Sequence, residues 1–178
     1  MPCYARGLRR TLGYALALML LCSFTLAQSV SVSYAPGVDF SKYHTYKWVE
    51  VAGQPHDPTL DAQIKQSFDS QLAAKGLTKA VESADLDVDY QAALTKAEKW
   101  EVYEDWSDTG FGPSRMPQRR KVVIDVGTLV FDMYDTPEKA LVWTGTVKKT
   151  VDVKASAKDR QKNLDKAAKQ LFANYPPH

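Results

Sequence analysis

The chain has 178 residues, 44% of them apolar and 25% charged, a balance that suits one globular domain with its own core and excludes a disordered or fibrous chain. Its 23 basic and 21 acidic residues give no basic excess of the kind that neutralises phosphates, so composition gives no case for nucleic acid. Both cysteines, Cys3 and Cys22, precede Ala27, and a product processed after Ala27 has no thiol for a disulfide, a nucleophile or a metal site.

Residues 1–27 read as a secretory signal peptide. Arg6, Arg9 and Arg10 stand before an apolar run from Leu12 to Leu21, and Thr25-Leu26-Ala27 offers small residues at the cleavage position. The expected product begins at Gln28, is exported to the periplasm or cell envelope, and forms one domain over residues 28–178. Without the three arginines, 20 basic residues face 21 acidic ones, and the formal +2 becomes −1. Bulky Leu21 directly before Cys22 argues against acylation, and the apolar run is short of the roughly 20 residues of a spanning helix. Membrane attachment is expected only if Cys22 is lipidated or the segment is retained.

Next comes SVSVSY, Ser29 to Tyr34, whose strict alternation predicts a half-buried strand of Val30, Val32 and Tyr34. Tyr43 to Val51 is a second β-rich run. Asp57-Pro58 supplies a cap and a first-turn proline, and Leu60, Ile64, Phe68 and Leu72 then recur every four residues up to Gly76, which predicts an amphipathic helix. Leu77 to Val81 reads as a short strand. Leu86, Val88, Tyr90, Ala92 and Leu94 alternate with Asp87, Asp89 and Gln91, so one face should meet the core and the other water. The polar and aromatic stretch from Lys99 to Arg120 reads as a long hairpin loop. Val122, Ile124 and Val126 then hold one phase and Leu129, Phe131 and Met133 the opposite one, and Gly127 at the switch predicts a β-bulge. Leu141 to Val153 returns as a strand. Ser156 and Asp159 form a capping box for a helix burying Leu164, Ala168, Leu171 and Tyr175 before Pro176-Pro177. The sum is a two-layer α+β sandwich, mainly antiparallel, with two helices packed on one face of the sheet.

Three blocks then stand out: VDFSKYHTYKW from Val38 to Trp48; LAAKGL from Leu72 to Leu77 with ADLDVDY from Ala84 to Tyr90; and GTLVFDMYDTPEKALVWTGT from Gly127 to Thr146. Together they resemble the DUF4136 family of bacterial envelope domains, commonly lipoproteins, of unknown function. The resemblance covers nearly all of the chain after Ala27. It implies an envelope location and supplies no catalytic residues. Read on their own, Trp48 and Trp143 belong to strands whose aromatic rings contribute large buried area, and Gly145 leaves room for a ring or a helix to approach.

Few patterns carry chemistry. Asp85, Asp87 and Asp89 begin like a calcium loop, but Tyr90 stands where the turn needs glycine and Lys96 where a bidentate glutamate should be. His44, His56 and His178 have no ligand partner at helix or strand spacing, so neither metal nor cofactor is expected. Nucleophile elbows, Ser-x-x-Lys pairs and glycine-rich phosphate loops are missing from the sequence. Two features remain in the Lys99–Arg120 stretch. Its acids Glu101, Glu104, Asp105 and Asp108 are the best source of a carboxylate pair for a small glycan hydrolase. Its aromatics Trp100, Tyr103, Trp106 and Phe111 suggest a binding surface. The favoured reading is a non-enzymatic envelope domain that binds a partner, an envelope protein or a glycan, through these aromatics. The hydrolase and an accessory subunit held by its sheet edge are the alternatives.

Overall fold

The structure, a computed structural model, describes residues 28–50, 57–108 and 113–176. The expected signal peptide, Phe111, His56 and His178 lie outside them. Six strands run in the order β1(Gln28–Tyr34), β2(Thr45–Trp48), β3(Thr78–Lys79), β4(Leu86–Asp108), β5(Pro113–Asp135) and β6(Ala140–Val151), with helices α1(Pro58–Ala74) after β2 and α2(Ala157–Leu171) at the end. They form one sheet ordered β1-β6-β5-β4-β2-β3. The β4-β5-β6-β1 part is antiparallel, whereas β2 lies parallel to both β3 and β4. The α+β architecture is the expected one.

Local chemistry explains both helices. Asp57 accepts from the Thr59 and Leu60 N–H groups, Pro58 sits where a missing donor costs nothing, and Gly76 ends the segment at φ +87°. At α2 the Asp159 N–H donates to Ser156 Oγ at 3.1 Å, and the Ser156 hydroxyl donates back to the Asp159 carboxylate at 2.7 Å. The helices lie side by side through Gln161, whose amide reaches Ser67 Oγ and the Gln63 carbonyl.

Both helices cover the face that carries Leu86 and Val88 of β4, Leu129, Phe131 and Met133 of β5, and Trp143 and Val147 of β6. All of these are buried together with Ile64, Phe68, Leu72, Ala168 and Leu171. Phe68 stacks on Phe131 at 4.5 Å between centroids, and Trp143 stacks on Phe172 at 5.3 Å. Phe172, just past the last turn of α2, continues the stripe of Leu164, Ala168 and Leu171, four residues after Ala168, whose carbonyl accepts its N–H at 3.0 Å. Two acids at the rim of this core gather its phenol, indole and ammonium donors. Asp69 accepts from Tyr46 Oη and Trp48 Nε1, each at 2.8 Å, and Asp135 accepts from Tyr43 Oη at 2.8 Å and Lys42 Nζ at 2.9 Å.

Three local expectations are corrected. Strand β1 forms, but it is an edge strand paired only with β6, so Val30, Val32 and Tyr34 are exposed rather than half-buried. No bulge forms at Gly127. The β4–β5 register runs unbroken from Leu86↔Asp135 to Asp108↔Pro113, and the irregularity lies at Met133/Tyr134 against β6. The two apolar phases simply occupy opposite faces at different heights, because the helix layer ends near Gly127. A Cβ at Gly127 would stand 3.0 Å from Cγ1 of half-buried Val151, a tight contact that a small shift of that side chain eases.

The third correction concerns the acids expected to face water. Asp85 lies before β4 and ties down β2, accepting from the N–H groups of His44 and Thr45 and from Thr45 Oγ1, each at 2.9 Å. Asp89 is only 7% exposed, in mid-sheet and directly opposite Asp132 of β5. Burial, and then the charge of Asp132, push its carboxyl from 3.8 up to about 6. Between those values the folded protein holds a proton that the unfolded chain has released. Stability contributed by this group is therefore present at low pH and lost as pH rises towards about 6. Asp89→Asn is expected to raise the melting temperature at neutral pH and to leave it unchanged near pH 4, which a pH series of thermal melts on parent and variant measures.

Candidate functional site

Strands β4 and β5 each run for 23 residues, several times the usual strand length and on the order of 75 Å at 3.3 Å per residue. Their neighbours stop early. β2 leaves β4 at Val88, and β6 leaves β5 at Asp125. From Ala97↔Ile124 to Asp108↔Pro113 the two strands pair only with each other among the described residues. The segment expected as a loop from Lys99 to Arg120 is therefore regular strand almost throughout. It is a two-stranded ribbon that continues the sheet beyond its helices. Prolines at 113 and 117 are tolerated because both ribbon edges are open and no ladder donor is lost to a third strand.

A ribbon with no core behind it depends on cross-strand pairs. Lys121, opposite Trp100, places its ammonium 5.4 Å from the indole centroid and bonds Glu98 at 3.0 Å. Arg120, opposite Glu101, contacts its Oε2 through Nη2 at 2.8 Å and Nε at 3.1 Å, and its guanidinium lies 5.2 Å from the Tyr103 ring. Each pair is exposed, so it stiffens the ribbon without adding much stability.

The aromatics are split by the pleat. Trp100, 61% exposed, shares a ribbon face with Val102 and Val123, both about as exposed. The Trp106 backbone position lies on that same face, opposite Arg115. Tyr103 faces the other way, with exposed Met116. Trp100 and Tyr103 therefore stand on opposite faces, and Val102, Val123 and Met116 are exposed beside them. A signal for Val102 was in the sequence, because Trp100, Val102 and Trp106 keep strand alternation through the stretch read as loop.

Of the acids proposed for hydrolysis, Glu101 and Glu104 fall on opposite faces of the ribbon, and Glu101 is held by Arg120. A carboxylate pair does occur elsewhere, at Asp89 and Asp132, where one carboxyl is pushed up. It stands on the sheet face away from the helices, while the apolar hollow bounded by Leu60 and Leu164 opens on the helix side. Among the described residues no group of three or more histidines, cysteines or acids is placed to hold a metal. No described helix is long and apolar enough to cross a membrane.

The family model for a domain of unknown function, DUF4136, matches residues 30–177, from the edge strand through the ribbon to the end of the chain. The chain belongs to the DUF4136 family. No curated protein matches it. Among solved structures it is similar to a PDZ domain protein from Parabacteroides distasonis, at 14% identity and a TM-score of 0.60, over 95% of this chain and 40% of that one. The chain thus spans well under half of that protein, and the likeness is one of fold. PelC from Paraburkholderia phytofirmans, solved as a dodecamer, is similar at 13% identity and a TM-score of 0.46, over 82% of this chain and 95% of that one. A second PelC dodecamer structure from that organism, in another space group, gives a TM-score of 0.47 at 12% identity. None of these comparisons brings a catalytic family.

Proposed function

We propose that this DUF4136 domain is a non-enzymatic binding module of the cell envelope, exported through residues 1–27, and that the β4–β5 ribbon is its docking arm. The observation that carries the reading is the ribbon itself: an arm of paired strands without a core, exposing Trp100, Val102 and Val123 on one face and two open backbone edges. Soluble proteins usually shorten, cover or charge such edges to avoid unwanted pairing. Here charged cross-strand pairs stiffen the arm, and aromatic side chains offer contact area with little rotamer entropy to lose. An envelope protein added as a further strand, or a glycan stacked on Trp100, fits this surface.

Replacing Trp100, Tyr103 and Trp106 together with serine is expected to remove the strongest crosslinks to envelope components in cells, while leaving the thermal midpoint within a few degrees of the parent. A triple variant that folds and still crosslinks like the parent would place the contact elsewhere. Loss of folding would show that the rings are needed by the core.

A further inference from the structure

Where the helix layer ends, the sheet and the N-terminal halves of α1 and α2 leave a groove of about 340 Å³ at the base of the ribbon, within the size range of small-ligand sites. Its walls are Leu60 and Ile64 of α1, Leu164 and Ala167 of α2, and Leu129 and Val147 of the sheet. Small residues border its floor, exposed Ala92 of β4 and Gly127 of β5.

Two cations, Lys149 and Arg160, stand among its lining residues. Lys149, half-buried on β6, donates to the neutral Asn163 amide oxygen at 2.8 Å, and Arg160 lies one turn before Asn163 on the same face of α2. The Arg160 side chain has no hydrogen bond or ion pair to another described residue. Burial and the nearby Lys166 charge hold the Lys149 ammonium below its ordinary range, the mark of a cation that lacks an anion. One acid, Asp152, also lines the groove, and its Oδ1 accepts the Lys154 N–H at 2.8 Å.

We propose that this groove binds a single-chain fatty carboxylate, its chain against Leu60, Ile64, Leu129 and Val147 and its head between Lys149 and Arg160. Apolar walls reward a hydrocarbon, and a half-buried lysine beside an unpaired arginine rewards an anion through charge-assisted hydrogen bonds. The leader is a poor occupant by the same reasoning, since residues 1–27 carry arginines and no acid. This site is independent of the ribbon reading.

Titration calorimetry on the full chain with decanoate, with decanol as the neutral chain, tests the proposal. Decanoate should bind saturably at one site and at least about tenfold more tightly than decanol, a difference of about 1.4 kcal/mol. Arg160→Met should cost about tenfold for decanoate and nothing for decanol. Ala92→Phe, at an exposed position, should abolish binding of both while circular dichroism stays unchanged. Equal affinity for decanoate and decanol, binding that survives Ala92→Phe, or no binding by the folded parent would each overturn the proposal.

Discussion

Trp143→Ala is expected to cost about 3 to 5 kcal/mol, the usual loss for deleting a large buried aromatic. Trp143 is 1% exposed on β6, stacked on Phe172 and met edge-on by Phe131 and Tyr175. Those partners come from β5 and from the residues after α2, so the ring joins the sheet to the chain's last helix. Its Nε1 has no hydrogen-bond partner, and the loss is therefore one of packing and cavity rather than of polar contacts. Trp143→Phe keeps a stacking ring and removes the orphaned donor, and should cost much less than the alanine variant. Urea denaturation midpoints measure both; equal midpoints for parent and alanine variant would mean that the ring is not core.

Gly145→Ala should also destabilise strongly, by at least about 2 kcal/mol, although adding a side chain to a strand glycine ordinarily helps. A Cβ at Gly145 would stand 2.6 Å from Trp143 Cη2 and 2.7 Å from Leu171 Cδ1. Neither can withdraw easily, because the indole is held by Phe172 and both side chains are buried. The glycine is where α2 comes down onto the sheet. Gly145→Val, with higher strand propensity, should be worse still, and a double variant Gly145→Ala with Leu171→Ala should lose less than the sum of the singles. Chemical denaturation of the four proteins gives the coupling directly, and strict additivity would contradict the close contact.

Much of this fold was legible because its signals are local. Asp57-Pro58 with Gly76, Ser156 with Asp159, and the alternation at Leu86–Leu94 each specify an element through capping or periodicity alone, and Trp-x-Gly at Trp143–Gly145 already implied a close approach. The misreadings share a cause: they turn on what lies above a strand. Val30 and Tyr34 alternate like buried residues, yet β1 is an edge. Asp89 alternates like a solvent-facing residue, yet it is buried in mid-sheet beside Asp132. Glycine, proline and charge across Lys99–Arg120 speak for a loop, and in an uncovered two-stranded arm no core demands the unbroken alternation that marks a buried strand. Lys149, Arg160 and Asn163 come together only through the docking of α2 on β6, which no local pattern encodes.

If the ribbon is the surface that meets a partner, contact should be confined to it. A photo-crosslinking residue placed at Val102, on the ribbon, and separately at Leu141, exposed on β6 at the opposite end of the sheet, measures this in the native host. A discrete crosslinked species is expected from Val102 and none from Leu141. Crosslinking from Leu141 with none from Val102, or equal products from both, would contradict it.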